Sequence, residues 1–200
     1  MTISWHGHYT VKITTPATTL VIDPHGKSNS FPPFRGKANV VALSNPSETA
    51  MSYLDGLQGN PIILTTPGEY SLAGFSLRAI GWHDKSGQEK SLHRWIIDNL
   101  TVVHLGSLTR KLTDQELQQL EQTTIDILLL PLNTSDSFPL KESMSLVTLI
   151  EPRIVVPINY DSAKEFAQEM GVNPRQAEPR LTVSRSKLPE EGTKTVILSA

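Results

Sequence analysis

Six histidines, no cysteine and several serines near short loops bound the chemistry this chain could perform. His8, His25 and His83 together with Asp23 could form a three- or four-ligand metal set, since imidazole and carboxylate are the donors left to zinc once thiolate is excluded. The competing reading is scaffold work, in which Asp23 and His8 accept and donate hydrogen bonds that hold neighbouring loops. A zinc site also needs oriented groups behind its ligands, which sequence does not display. His6 and His104 flank other strand-like segments, and His93, beside Arg94 and Trp95, reads as a surface histidine at a strand end. Ser44, Ser47 and Ser107 are candidate nucleophiles with His83 as base. However, His104-Leu105-Gly106-Ser107-Leu108 lacks the Gly-x-Ser-x-Gly elbow, and spacing identifies no residue that would orient His83. Glu48 and Asp84 could act as a carboxylate pair, although acids in loops are ordinarily solvated charges.

Composition removes several function classes. Two hundred residues, 38% apolar and 19% charged, fit one domain, residues 1–200, with a core of two or more packed layers. A formal charge of −2 leaves no cationic excess for a phosphate backbone, so no nucleic acid is expected as a partner. The mixed-sign groups Lys85 to Lys90 and Lys187 to Lys194 read as loops. Without Cys there is no disulfide framework and no thiolate nucleophile. The opening residues Met1 to His8 show no basic stretch followed by an apolar run, and no segment reaches 18 uninterrupted apolar residues. The expectation is a soluble cytoplasmic protein without a membrane partner.

The elements that would position these residues change character along the chain. Thr10 to Thr14, Thr18 to Asp23, Asn39 to Leu43, Pro61 to Thr65 and Phe75 to Gly81 read as short strands bounded by turn residues. Arg94 to Asp98 and Leu100 to Leu105 read as a hairpin turning at Asp98-Asn99, so the first half predicts a meander. The apolar strands Ile125 to Leu130 and Arg153 to Pro157 then alternate with helices. Thr113-Asp114-Gln115-Glu116 predicts a capping box ahead of Leu117 and Leu120, and Pro139 opens a helix over Leu140 to Ile150. A further helix opens at Asp161 to Lys164 and stops at Gly171, with last strands at Leu181 to Arg185 and Thr193 to Leu198. Ser28 to Gly36, Asn133 to Ser137 and Lys187 to Gly192 read as loops.

The order of several short motifs resembles the metallo-β-lactamase fold, and within it the short bacterial branch of lactonase-like, zinc-dependent hydrolases. Trp5-His6-Gly7-His8 is similar to that branch's opening Trp-Leu-Gly-His, Val21-Ile22-Asp23-Pro24 to its Ile-Asp-Pro, and His104-Leu105-Gly106-Ser107 to its His-Ala-Gly-Asp. Val155-Val156-Pro157-Ile158-Asn159-Tyr160 resembles its Ile-Pro-Met-His-Tyr, and the tail Leu181 to Ser186 is similar too. No single piece is specific; their order and spacing are. The resemblance implies a single α/β domain with α+β segregation, a four-layer αββα sandwich whose site lies where loops meet at one edge of the sheets.

It also implies one or two zinc or manganese ions, held by a Thr-His-x-His-x-Asp-His loop, a later His, an Asp after Gly and a last His. Residue by residue, the loop ligands fall on Asn45, Ser47, Thr49 and Ala50, the Asp on Ser107 and the last His on Asn159. Only His83 aligns with the family's mid-chain ligand. Neutral amides and hydroxyls do not offset the cost of stripping water from zinc, so no metal cofactor is expected. The reading that follows is a metal-free pseudoenzyme whose old cleft binds an unidentified small molecule or protein partner. A homo-oligomer is compatible with it. The alternative is a hydrolase of a small ester, lactone or phosphoester using a relocated metal site.

Overall fold

The structure is a computed structural model that describes the chain apart from residues 29, 48–50, 52, 73, 133–138 and 161. Its N-terminal half builds a six-stranded sheet from β1 (Thr2–Trp5), β2 (Val11–Thr14), β3 (Thr19–Ile22), β5 (Val40–Ala42) and β7 (Ile62–Leu64), with β14 (Leu181–Thr182) returning to the edge beside β1. Between them, β4 (Gly36–Lys37) and β6 (Leu57–Gln58) form a small parallel pair. The second sheet has seven strands: β8 (Gly68–Leu72), β9 (Phe75–His83), β10 (Glu89–Ile97), β11 (Leu100–His104), β12 (Ile127–Pro131), β13 (Ile154–Ile158) and β15 (Lys194–Thr195). Three α-helices lie among the described residues: α1 (Asp114–Leu120), α2 (Leu140–Ile150) and α3 (Lys164–Glu169).

The meander expected over the whole first half needs correction. β1, β2 and β3 are antiparallel, but β3, β5 and β7 run parallel. The connections after β3 and β5 are long enough for crossovers, whereas an antiparallel meander needs only tight turns. A true meander appears later, through β8, β9, β10 and β11. Its last turn lies at Asp98 and Asn99, both with positive φ, the backbone that a two-residue hairpin with the right twist requires. The last strands are also shorter than the apolar pattern predicts. After Thr182 the chain passes into a 3-10 turn at Arg185–Lys187, and β14 and β15 each have a single neighbour.

Alternation inside β12 sets the layers. Ile127 and Leu129 face the first sheet in the inter-sheet core, whereas Leu128 and Leu130 face the helices with Leu146, Ile150 and Phe166. A run that is apolar on both faces is what a central parallel strand between two apolar layers demands. The expected αββα arrangement is present, with an uneven outer coat. Helices cover the second sheet, while Val21, Val41 and Leu43 of the first are covered by Phe34, Leu54 and Leu57 from loops and the 3-10 turn Tyr53–Gly56. The capping box of α1 forms: Thr113 Oγ1 accepts the Glu116 N–H at 3.2 Å, and Glu116 Oε2 accepts the Thr113 N–H at 2.8 Å. Among the described residues, no helix is long and apolar enough to cross a membrane.

Candidate functional site

Two parallel strands end side by side at one rim of the sandwich, and the residues just past them make the site. β3 delivers Asp23 and β5 delivers Ser44, both one or two residues beyond their last ladder pair, Ile22 with Ala42. The Ser44 backbone N–H donates to Asp23 Oδ1 at 2.6 Å and its hydroxyl donates to Oδ2 at 2.5 Å. Burial raises the Asp23 pKa, while His104 and the two Ser44 bonds work against that shift. Both carboxylate oxygens are thereby engaged.

His104, at the end of β11, is fully buried beneath them. Its Nδ1 accepts the Gly106 N–H at 3.0 Å, so the proton sits on Nε2, which donates to the Tyr9 carbonyl at 3.0 Å. The 4.0 Å approach of Nδ1 to Asp23 Oδ2 is therefore no ion pair. Burial lowers the His104 pKa, with Asp23 and the Tyr9 carbonyl opposing, which keeps the ring neutral. Gly106 has φ +56°, and a Cβ there would meet Ser44 Oγ at 2.6 Å, so both backbone shape and space demand glycine.

Above this floor lies a cavity of about 190 Å³, whose lining includes His8, Asp23, Asn45, Ser47, Tyr53 and Ser107. The Oδ1 of Asn45 and the Oγ of Ser107 are buried without a hydrogen-bond partner among the described residues. His8 and Asp23 at the cavity, and nearby Asn159, hold positive φ of 45°, 46° and 54°, a conformation that non-glycine residues adopt rarely and that clusters at functional sites. The His8 carbonyl accepts both the Trp5 Nε1–H at 2.8 Å and the Asn159 N–H at 3.0 Å, tying three segments to one rim.

Thus the fold brings Asn45, Ser47 and Ser107 into one cavity with His8 and Asp23, and places Asn159 against His8. Thr49, Ala50 and Glu48 lie outside the described residues. His83 does not join them: it is exposed at the end of β9, paired with Glu89, and does not line this cavity. The neighbouring Asp84 clamps the following turn through Ser86, Gln88 and Lys90, and these bonds hold its carboxyl well below the usual range. His93 is not at the surface, where a strand end beside Arg94 and Trp95 was expected to put it. It sits mid-strand in β10, 2% exposed between β9 and β11, with Nε2 at 2.9 Å from Ser91 Oγ. Burial, with the nearby His104, pushes its pKa down to about 3. His25 and Ser44 also line the cavity, with Tyr9, Pro24 and Leu43 beside His8, Asp23 and Ser44 in the chain, whereas Tyr53 arrives without any sequence signal.

These donors do not fit zinc. Asp23 is engaged by Ser44, and His25 contacts Thr10 Oγ1 at 2.7 Å through Nδ1 and the Pro32 carbonyl at 3.0 Å through Nε2. His8 Nε2 is 2.9 Å from Ser28 Oγ. Among the described residues, no group of three or more His, Asp or Glu side chains is placed to hold an ion.

A β-lactamase superfamily domain model matches residues 2–159. The chain belongs to the β-lactamase superfamily. Within it, the sequence is 25% identical over 196 residues to a UPF0173 protein of Pyrococcus abyssi, spanning 85% of this chain and 90% of that one. The fold is similar to that of a Thermotoga maritima member named as a candidate Zn-dependent hydrolase, with TM-score 0.78, 20% identity and 99% of each chain covered. It is also similar to a metallo hydrolase from Ignicoccus hospitalis, with TM-score 0.65, 16% identity and coverage of 92% and 99%. These last two likenesses speak to the superfamily fold alone.

Proposed function

We propose that this chain is a superfamily member that uses its cleft for binding and carries no catalytic metal. The observation that supports this most is the donor set: amide and hydroxyl groups of Asn45, Ser47, Ser107 and Asn159 stand at positions that resemble the family's ligands. In addition, among the described residues the one carboxylate at the cavity, Asp23, is occupied by Ser44. A catalytic zinc lowers the pKa of its bound water to about 7 and polarises the scissile group. A neutral amide and hydroxyl set neither holds such an ion nor replaces it as a base. The uncharged polar groups in a partly apolar cavity are suited to recognition.

Elemental analysis of protein purified without chelators tests this reading. Well under one equivalent of zinc, manganese or iron is expected, with no turnover of lactone, ester or phosphodiester substrates above that of a heat-denatured control. One tightly held equivalent of metal, with turnover that disappears on its removal, would sink the proposal.

A further inference from the structure

The helices that cover the second sheet leave one corner of its outer face open, where Glu69, Ser71, Ser76 and Ile96 are exposed. Alternation sends Leu77, Trp95 and Ile97 into the inter-sheet core, so Arg78, Arg94 and Ile96 project from the opposite side. Two rows cross three strands there. Glu69 stands opposite Arg78 and Arg78 opposite Arg94; two residues along, Ser71 stands opposite Ser76 and Ser76 opposite Ile96. These residues, with Gln122 just past the end of α1, line a cavity of about 440 Å³, within the size range of small-molecule sites. It shares no lining residue with the cleft at the rim.

Charge in this cavity does not balance. Arg78 Nε donates to Glu69 Oε1 at 2.9 Å and its Nη2 donates to the same oxygen, so the carboxylate in the lining is already engaged. Arg94 is only 6% exposed; its Nε donates to the Leu120 carbonyl at 3.1 Å and its Nη2 to Thr123 Oγ1 at 2.5 Å. A carbonyl and a hydroxyl satisfy hydrogen bonds but bring no counter-charge, and among the described residues Arg94 forms no ion pair. Burial, with the like charge of Arg78, pulls the Arg94 pKa down. Two like charges directly opposite on a sheet destabilise it. Holding the end of α1 accounts for the bonds Arg94 makes, but not for the second cation beside it. Two guanidinium groups against one carboxylate leave a single net positive charge. One row away Ile96, 41% exposed, offers an apolar wall.

We propose that this outer face of β8, β9 and β10 binds a small organic carboxylate, its charged end against the Arg78 and Arg94 guanidinium groups and its apolar body along Ile96. Guanidinium N–H donors match the geometry of a carboxylate. A monoanion answers the one uncompensated charge, whereas a dianion would add repulsion from Glu69.

Benzoate, phenyl phosphate and neutral benzamide test this on the full chain at low ionic strength, by calorimetric titration with amide NMR shifts to locate the site. Benzoate should bind saturably and move amides of β8, β9 and β10, with benzamide at least tenfold weaker and phenyl phosphate no tighter than benzoate. Arg78→Gln should weaken benzoate at least fivefold. Glu69→Gln should strengthen it at least twofold, a gain that a purely structural ion pair does not predict. Both positions lie at or near the surface, so circular dichroism and the melting midpoint should stay near those of the parent, unlike Arg94→Gln, which also loosens the end of α1. Failure of benzoate to saturate, or shifts confined to the cleft around Asp23, overturns the proposal. So do equal affinity for benzamide, tighter binding of phenyl phosphate, or unchanged benzoate affinity in either variant.

Discussion

The floor of the cleft and the wall above it are both polar and lie within a few residues of each other, yet they are finished differently. On the floor, Asp23, Ser44, His104 and Gly106 bond one another or nearby backbone. On the wall, Asn45 Oδ1 and Ser107 Oγ have no partner among the described residues. Ser44 and Asn45 are adjacent in sequence, as are Gly106 and Ser107, so one residue step separates the two behaviours. A saturated network holds loops in place, and an unsaturated pair costs folding free energy that only a ligand or solvent can return. The floor is a closed network, and the wall is not.

The largest expected effect that would break this contrast comes from acid beneath the floor. The His93 pKa is about 3 in the fold, against an ordinary histidine value of 6.5, so the native state resists protonation. Its contribution is full above pH 6.5 and is lost as pH falls through the window to about 3, reaching about 4 kcal/mol at the bottom. Asp23, whose pKa is raised, acts with the opposite sign, its stabilisation being lost as pH rises through its folded value. Comparing urea unfolding of the parent and His93→Gln across this range isolates the histidine: the parent's stability should fall more steeply on acidification.

Asp23→Ala should come next, at about 3 kcal/mol, because it strands the Ser44 N–H and hydroxyl together. Chemical denaturation at neutral pH measures it, and a loss below about 1 kcal/mol would show that the floor is not a scaffold. Gly106→Ala should cost about 2 kcal/mol by the same assay, through its positive φ and the contact with Ser44 Oγ. The smallest effect sharpens the contrast most. Ser107→Ala removes a buried hydroxyl without a partner, so unfolding stability should stay within about 0.5 kcal/mol or rise. A clear loss would place Ser107 with the floor.

Much of the fold was legible because local rules agreed with the tertiary outcome. Thr113 and Glu116 announce the start of α1, and Asp98-Asn99 announces a hairpin, since capping and turn chemistry act within four residues. The parallel run of β3, β5 and β7 was not legible, since crossover direction depends on how long loops pack. His93 misled for a related reason. Its place beside Arg94 and Trp95 read as a strand end, but nothing in Leu92-His93-Arg94-Trp95 reveals that β9 and β11 flank it on both sides. His83 aligned with a ligand position by order along the chain, and order does not fix how far a strand projects past the rim.

The sequence by itself determined the change from strands to helices along the chain, through periodicity, and the chemical identity of the groups at the ligand-like positions, through residue type, while the αββα layering was what the family resemblance implied. Neither depends on coordinates, because periodicity decides which faces must be buried and an amide remains a neutral donor set wherever it lies. Tertiary structure alone decided which of those groups share a cavity. It also assigned Asp23 to Ser44 and left Asn45 Oδ1 and Ser107 Oγ without partners among the described residues. Hydrogen bonding and burial are properties of distances between segments remote in sequence, and only packing sets those distances.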